Sequence, residues 1–295
     1  MRALGAFLLL IVIALAAMAL FTYPLWSALY PHFGFPFHRV ADRIGMVAAA
    51  VGLFVLARRL RLTNRAMWGF GVRPAIFVRE LAIGWCLGAV LMGLGVLIMV
   101  ALQLLAWKPG MTVDAHTLAG IALTGVMRGI GVALIEEIFI RGAMYGALAR
   151  ESGWRFALGV TSFIYALTHF IGRTHIAAAD AHWGSGLDLL AGSFQMLAHP
   201  ADILDAFACL YAVGVVLGAV RRVTGHIGAC IGLHAAFVCV ITFVRETSLP
   251  NPSSHYSFLL SRFDGVVGWL LFGWTLIAGA LLYLYYSHRR SAAAA

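Results

Sequence analysis

LGAFLLLIVIALAAMAL, from Leu4 to Leu20, is a 17-residue run without a charge, and the apolar character continues through Phe21 to Leu25. Such a run exceeds the hydrophobic core of a secretory signal, so a first membrane span is expected here, behind the single Arg2. The rest of the chain repeats the pattern. Of 295 residues, 62% are hydrophobic and only 11% are charged. A water-soluble protein carries roughly 25% charged residues, because its surface must be wet. The outer solvent of this chain is therefore expected to be lipid. Net charge is +9, but the arginines are spread along the chain and do not gather into one basic surface, so nucleic acid is not an expected partner.

A helix needs ~20 apolar residues to cross the ~30 Å hydrocarbon core. By that criterion eight spans are expected, at about 4–26, 40–57, 80–106, 117–149, 155–171, 203–220, 226–245 and 265–286. The fold class is all-α: a polytopic membrane bundle of about eight helices, because in lipid each segment must satisfy its own backbone polar groups. The fourth segment is too long for one straight crossing, so tilt, extension into water or a break near Gly125, Gly129 or Gly131 is expected. The connection 172–202 carries a short apolar stretch, Gly186 to Leu197, that reads as a helix lying at the interface. The positive-inside bias sets orientation: 13 of the 21 basic residues fall on one side, among them Arg58, Arg59, Arg61, Arg65, Arg221, Arg222, Arg289 and Arg290, against six, including Arg173, on the other. A cell-membrane protein with both termini cytoplasmic is expected. The chain divides into a three-span region over 1–116, a core over 117–245 and a last span with its tail over 246–295.

Charges inside a bilayer are costly enough to be read as functional. In Ile135-Glu136-Glu137-Ile138-Phe139-Ile140-Arg141 the acids Glu136 and Glu137 are adjacent, and Arg141 follows Glu137 by four residues. On a helix Glu137 and Arg141 share a face and can pair, whereas Glu136 is turned about 100° away. Arg141 can neutralise only one of the two carboxylates well, which would give them different chemical roles. Two histidines also fall within apolar segments: His169, four residues after Tyr165, and His234, within Gly232-Leu233-His234-Ala235. Imidazole exchanges protons near neutral pH. There is no His-Glu-x-x-His, no Gly-x-Gly-Asp and no Gly-x-Ser-Gly string, so the familiar zinc, aspartyl and serine membrane proteases are not indicated. The four cysteines sit in apolar runs without metal or redox spacing.

Glu136-Glu137-x-x-x-Arg141, Tyr165-x-x-x-His169, and Thr224-Gly225 followed by His234 resemble the three motifs of the CPBP family, the CAAX prenyl proteases and bacteriocin-processing proteins, which are glutamic intramembrane endopeptidases. The resemblance covers about 117–245. It implies that Glu136 and His169 hold and deprotonate an attacking water, that Glu137 and Arg141 form a supporting ion pair, with Tyr165 as a further structural residue, and that His234 faces the developing oxyanion. It also implies hydrolysis without a covalent intermediate, on a membrane-anchored or C-terminally tagged protein substrate in the bilayer; no metal or cofactor is expected, although zinc, which Glu and His also suit, stays open as a rival that chelator sensitivity would decide. Two departures stand out: the aromatic of the second motif is Tyr165 where Phe is usual, and Val238 occupies the position, four residues after His234, where Asn is usual. Two other classes remain open. One is a catalytically impaired membrane scaffold, favoured by Val238; the other is an ion- or proton-coupled transporter, disfavoured by the lack of an internal repeat.

Overall fold

The computed structural model describes residues 2–111, 114–171 and 174–294, with side chains through Arg289, so Arg173 and the Arg290 side chain of the charge tally lie outside it. Among the described residues ten α-helices follow in order: α1 (Arg2–Phe33), α2 (Phe37–Arg59), α3 (Pro74–Ala101), α4 (Ala115–Glu136), α5 (Tyr145–Ser152), α6 (Trp154–Thr168), α7 (Ser185–Ser193), α8 (Leu204–Thr224), α9 (Gly228–Thr247) and α10 (Trp269–Ala294). A π-helical segment, Glu137–Met144, joins α4 to α5. The chain is a polytopic helical bundle, as its composition requires. Among the described residues seven helical stretches are long and apolar enough to span a bilayer, α4 through α5 counting as one stretch, Ala115–Ser152.

The expected span at 155–171 is the difference. It is α6, a 15-residue helix, which at 1.5 Å per residue reaches only about 22 Å. The third span also ends earlier than expected. Residues Leu105–Trp107 leave the helix and pair, antiparallel, with Ser248–Pro250, so that Ala106 sits opposite Leu249. Three-residue strands carry too little alternation to be read from sequence.

The chain forms two compact units. The first comprises Met1–Thr63 and Leu167–Ala201, the second Asn64–Ala166 and Asp202–Ala295. In the first unit α1 and α2 pack together, and the short α7 lies against α1, with Leu189 joining Met18, Trp26, Phe37 and Ala41 in one apolar cluster. The short helix expected within 186–197 is thus present as α7, followed by 3₁₀ turns.

In the second unit α9 packs between α3 and α4. Small residues permit this. A Cβ on Gly129 of α4 would come within 2.3 Å of the Ala235 carbonyl, and one on Gly232 of α9 within 2.1 Å of the Leu81 carbonyl. Backbones in contact are characteristic of helix packing where lipid supplies no hydrophobic drive and dispersion must hold the helices together. Gly125 and Gly129 are therefore contact residues, not the expected break. The long fourth segment departs from α-helical geometry later, at Glu137. In the same unit α10 packs on α8.

Candidate active site

The buried residues of α4 are Gly125, Gly129 and Ala133, and Glu137 and Arg141 continue this four-residue spacing. On a regular α-helix each step of four advances about 40° around the axis, which would carry Arg141 away from the stripe. The π-helical turn, with its i→i+5 hydrogen bonds, is wider and slows that drift. Glu137 and Arg141 consequently both point inward and are fully buried. Glu136 lies off the stripe, with its side chain 28% exposed.

Arg141 Nη1 donates to Glu137 Oε1 at 3.0 Å, and Nη2 reaches the Gly214 carbonyl of α8 at 3.4 Å. The guanidinium carbon lies 4.2 Å from the centre of the Tyr165 ring, a cation–π contact. His234 Nδ1 is 2.9 Å from the same Glu137 oxygen. A carboxylate paired with arginine is ionised and can only accept, so Nδ1 carries a proton and donates. This fixes the ring and turns Nε2 toward the Tyr165 hydroxyl, at 3.5 Å, and toward Glu136 Oε2, at 3.9 Å. The second oxygen of each carboxylate, Oε2 of Glu136 and of Glu137, is buried without a hydrogen-bond partner among the described residues.

Five of the six residues singled out in the sequence thus meet in the second unit: Glu136, Glu137, Arg141, Tyr165 and His234. His169 belongs to the first unit, in the turn that follows α6. The Tyr165 hydroxyl, unusual at its position, has the His234 ring nitrogen beside it. The Thr224-Gly225 pair has a structural task. Gly225, at φ +77°, ends α8 in the left-handed region. Among the described residues no three His, Cys, Asp or Glu side chains are grouped so as to hold a metal ion.

Two contributors were not singled out from the sequence. Gly214 supplies a carbonyl to Arg141, and Arg221 is buried, not a loop charge: its guanidinium donates to the Arg141 carbonyl at 3.3 Å and to the Ala66 carbonyl at 3.1 Å. It ties the loop after residue 63 to the π-helical turn. The signal was available. Leu210, Gly214, Leu217 and Arg221 are all buried and follow the i, i+4, i+7, i+11 stripe of one helix face, whereas the adjacent Arg222 falls outside it.

Residues 118–240 match the family model described as Type II CAAX prenyl endopeptidase Rce1-like. The match is consistent with the CPBP resemblance, and it runs from the start of α4 through most of α9. The chain is a multi-pass membrane protein, and the family its residues 118–240 match is one of CAAX-type peptidases, which implies a membrane-associated protein substrate in a bilayer. No curated protein and no solved structure matches the chain.

Proposed function

We propose that the chain is an endopeptidase that hydrolyses peptide bonds of membrane-associated substrates with a water activated by Glu136. The observation that carries this reading is the convergence of Arg141 and His234 on one oxygen of the buried Glu137, which leaves Glu136 as the carboxylate not committed to an ion pair with arginine. Arg141 and Glu137 cancel each other's charge. One further proton shared between Glu136 and His234 keeps the four-group cluster neutral, which a low-dielectric site demands.

With that proton on His234, both ring nitrogens donate: Nδ1 to Glu137, and Nε2 outward to the oxygen of a tetrahedral intermediate. Glu136 is then ionised and accepts a proton from water as the water attacks the scissile carbonyl. The carbonyl oxygen takes up negative charge opposite Nε2, and the Tyr165 hydroxyl, 3.5 Å from that nitrogen, is a second donor of the right kind. Collapse of the intermediate returns the proton from Glu136 to the leaving amine. No covalent enzyme intermediate is required. The case for His169 as a second acceptor for the water is the Tyr165-x-x-x-His169 motif, and the substrate is taken as a membrane-anchored or C-terminally tagged protein.

The test is cleavage of a library of membrane-tethered peptides by the purified protein in detergent. Glu136→Gln and His234→Ala are expected to lower turnover by about 10²- to 10³-fold or more, from loss of the base or of an oxyanion donor. His169→Ala tests the motif. Full activity in Glu136→Gln overturns the assignment. Absence of cleavage by the wild type across the library favours the second reading, a membrane scaffold, for which Val238 in place of a hydrogen-bonding Asn is the specific support.

A further inference from the structure

Away from this cluster, on the arginine-rich side, the second unit holds a cavity of about 430 Å³ between the ends of three helices. Glu80 and Arg289 close it on the α3 and α10 sides, and Arg222, Thr224 and His226 line it from the turn between α8 and α9. The Glu80 carboxylate is buried and fully engaged: Arg289 binds both its oxygens, at 2.8 and 3.1 Å, and Arg79 approaches Oε1 at 3.2 Å. Its negative charge is thereby spent. Two guanidiniums, those of Arg79 and Arg289, bind that single carboxylate, and a third, that of Arg222, lines the same cavity.

The Thr224 hydroxyl is engaged with the Val220 and His226 carbonyls, and the imidazole and phenol that remain can donate. His226 Nδ1 accepts the Gly228 N–H at 3.2 Å, so in the neutral ring the proton resides on Nε2, which can donate. Burial holds this imidazole below its ordinary range, with Arg221 and Arg289 acting in the same direction and Glu80 opposing, so the neutral donor form is favoured near pH 7. Tyr286, only 3% exposed, presents a hydroxyl that is buried without a hydrogen-bond partner among the described residues. A buried orphan hydroxyl is costly unless something else satisfies it. Arg222 is exposed at the rim, its guanidinium carbon 5.6 Å from the Trp154 ring.

We infer that this cavity binds a phosphate group, either that of an anionic lipid headgroup or a free phosphate. A phosphate offers several acceptor oxygens and negative charge to a set of guanidinium, imidazole and phenol donors whose one carboxylate is already neutralised. The setting, at the ends of membrane-spanning helices on the side rich in arginine, is where basic pockets take anionic headgroups.

The experiment uses the whole protein in a neutral detergent and follows the thermal unfolding midpoint during titration with three probes: dioctanoyl phosphatidylglycerol, dioctanoylglycerol, which has the same chains but no phosphate, and inorganic phosphate. A saturable rise with phosphatidylglycerol and none with dioctanoylglycerol is expected. Arg222→Gln should weaken that binding by about fivefold, the effect of one basic residue at a charged surface. Tyr286→Phe should weaken it too while leaving the ligand-free midpoint unchanged or higher, because its hydroxyl gives up no protein partner. An equal rise with inorganic phosphate at similar concentration supports the site and assigns it to the free anion. Equal responses to phosphatidylglycerol and dioctanoylglycerol, or variants that bind as the wild type does, overturn the inference.

Discussion

Arg141→Met removes the only guanidinium that an arginine–carboxylate ion pair places on Glu137 among the described residues. Both side chains of that pair are fully buried, so neither is rescued by water when the other is lost. Deleting one member of a buried pair costs about 3–5 kcal/mol, because the survivor is left uncompensated. The contact with the Tyr165 ring at 4.2 Å disappears with it. Against a total stability of about 5–15 kcal/mol this is a large fraction. A second substitution separates charge from packing. In Arg141→Met/Glu137→Gln the buried charge is gone, while the amide oxygen still accepts from His234 Nδ1, which lies 2.9 Å from Glu137 Oε1 in the native chain.

The double variant should therefore recover about 2 kcal/mol or more of the loss, giving a strongly non-additive cycle. Denaturant unfolding of the wild type, both single variants and the double variant in one detergent, followed by tryptophan fluorescence, measures it. Additivity within about 0.5 kcal/mol, or a cost for Arg141→Met below about 1 kcal/mol, against the 3–5 expected for a buried pair, would refute the account of Glu137 and Arg141 as a coupled pair.

Other outcomes follow from the packing around α9. Gly129→Val places a side chain where even a Cβ would lie 2.3 Å from the Ala235 carbonyl, so it should lower stability by about 1–3 kcal/mol and reduce turnover by shifting the neighbouring His234, whereas Gly131→Ala, with nothing near its Cβ, should be neutral or slightly stabilising; unfolding midpoints compare the two. Val238→Asn, one helical turn beyond His234, is expected to preserve or raise peptidase turnover, and a large loss would show that position 238 is not near the oxyanion. For orientation, cysteines replacing Arg2 and His288 are expected to react with a membrane-impermeant maleimide from the same side. Labelling from opposite sides would mean that the 15-residue α6 does not complete an eighth crossing.

Much of the architecture was legible because lipid imposes a local rule. A helix in hydrocarbon satisfies its own backbone, so length and apolar content suffice to find α1, α2, α3 and the helices after α7. The rule fails where length fails. The 15 residues of α6 are short of a bilayer, and the strands 105–107 and 248–250 exist only because two helix ends meet. The Glu137–Arg141 pairing was also legible, being local and four residues apart, whereas Gly125 and Gly129, expected as possible break sites, are contact residues that continue into Glu137. The burial of Arg221 was encoded in the same kind of stripe but masked by its neighbour Arg222, which made the pair look like a charged loop.

By itself, the sequence determined the solvent, the helices, and which charged groups share a face, because these depend on residues within a few turns of one another. Only the tertiary structure decided that His234 donates to Glu137, 97 residues away, while its other nitrogen faces Glu136, and that the Tyr165 ring lies against Arg141. Those contacts depend on how closely α9 approaches α4, and so on where two glycines let backbone touch backbone. Helical periodicity gives each side chain a direction, but the distance to a partner on another helix is set by packing.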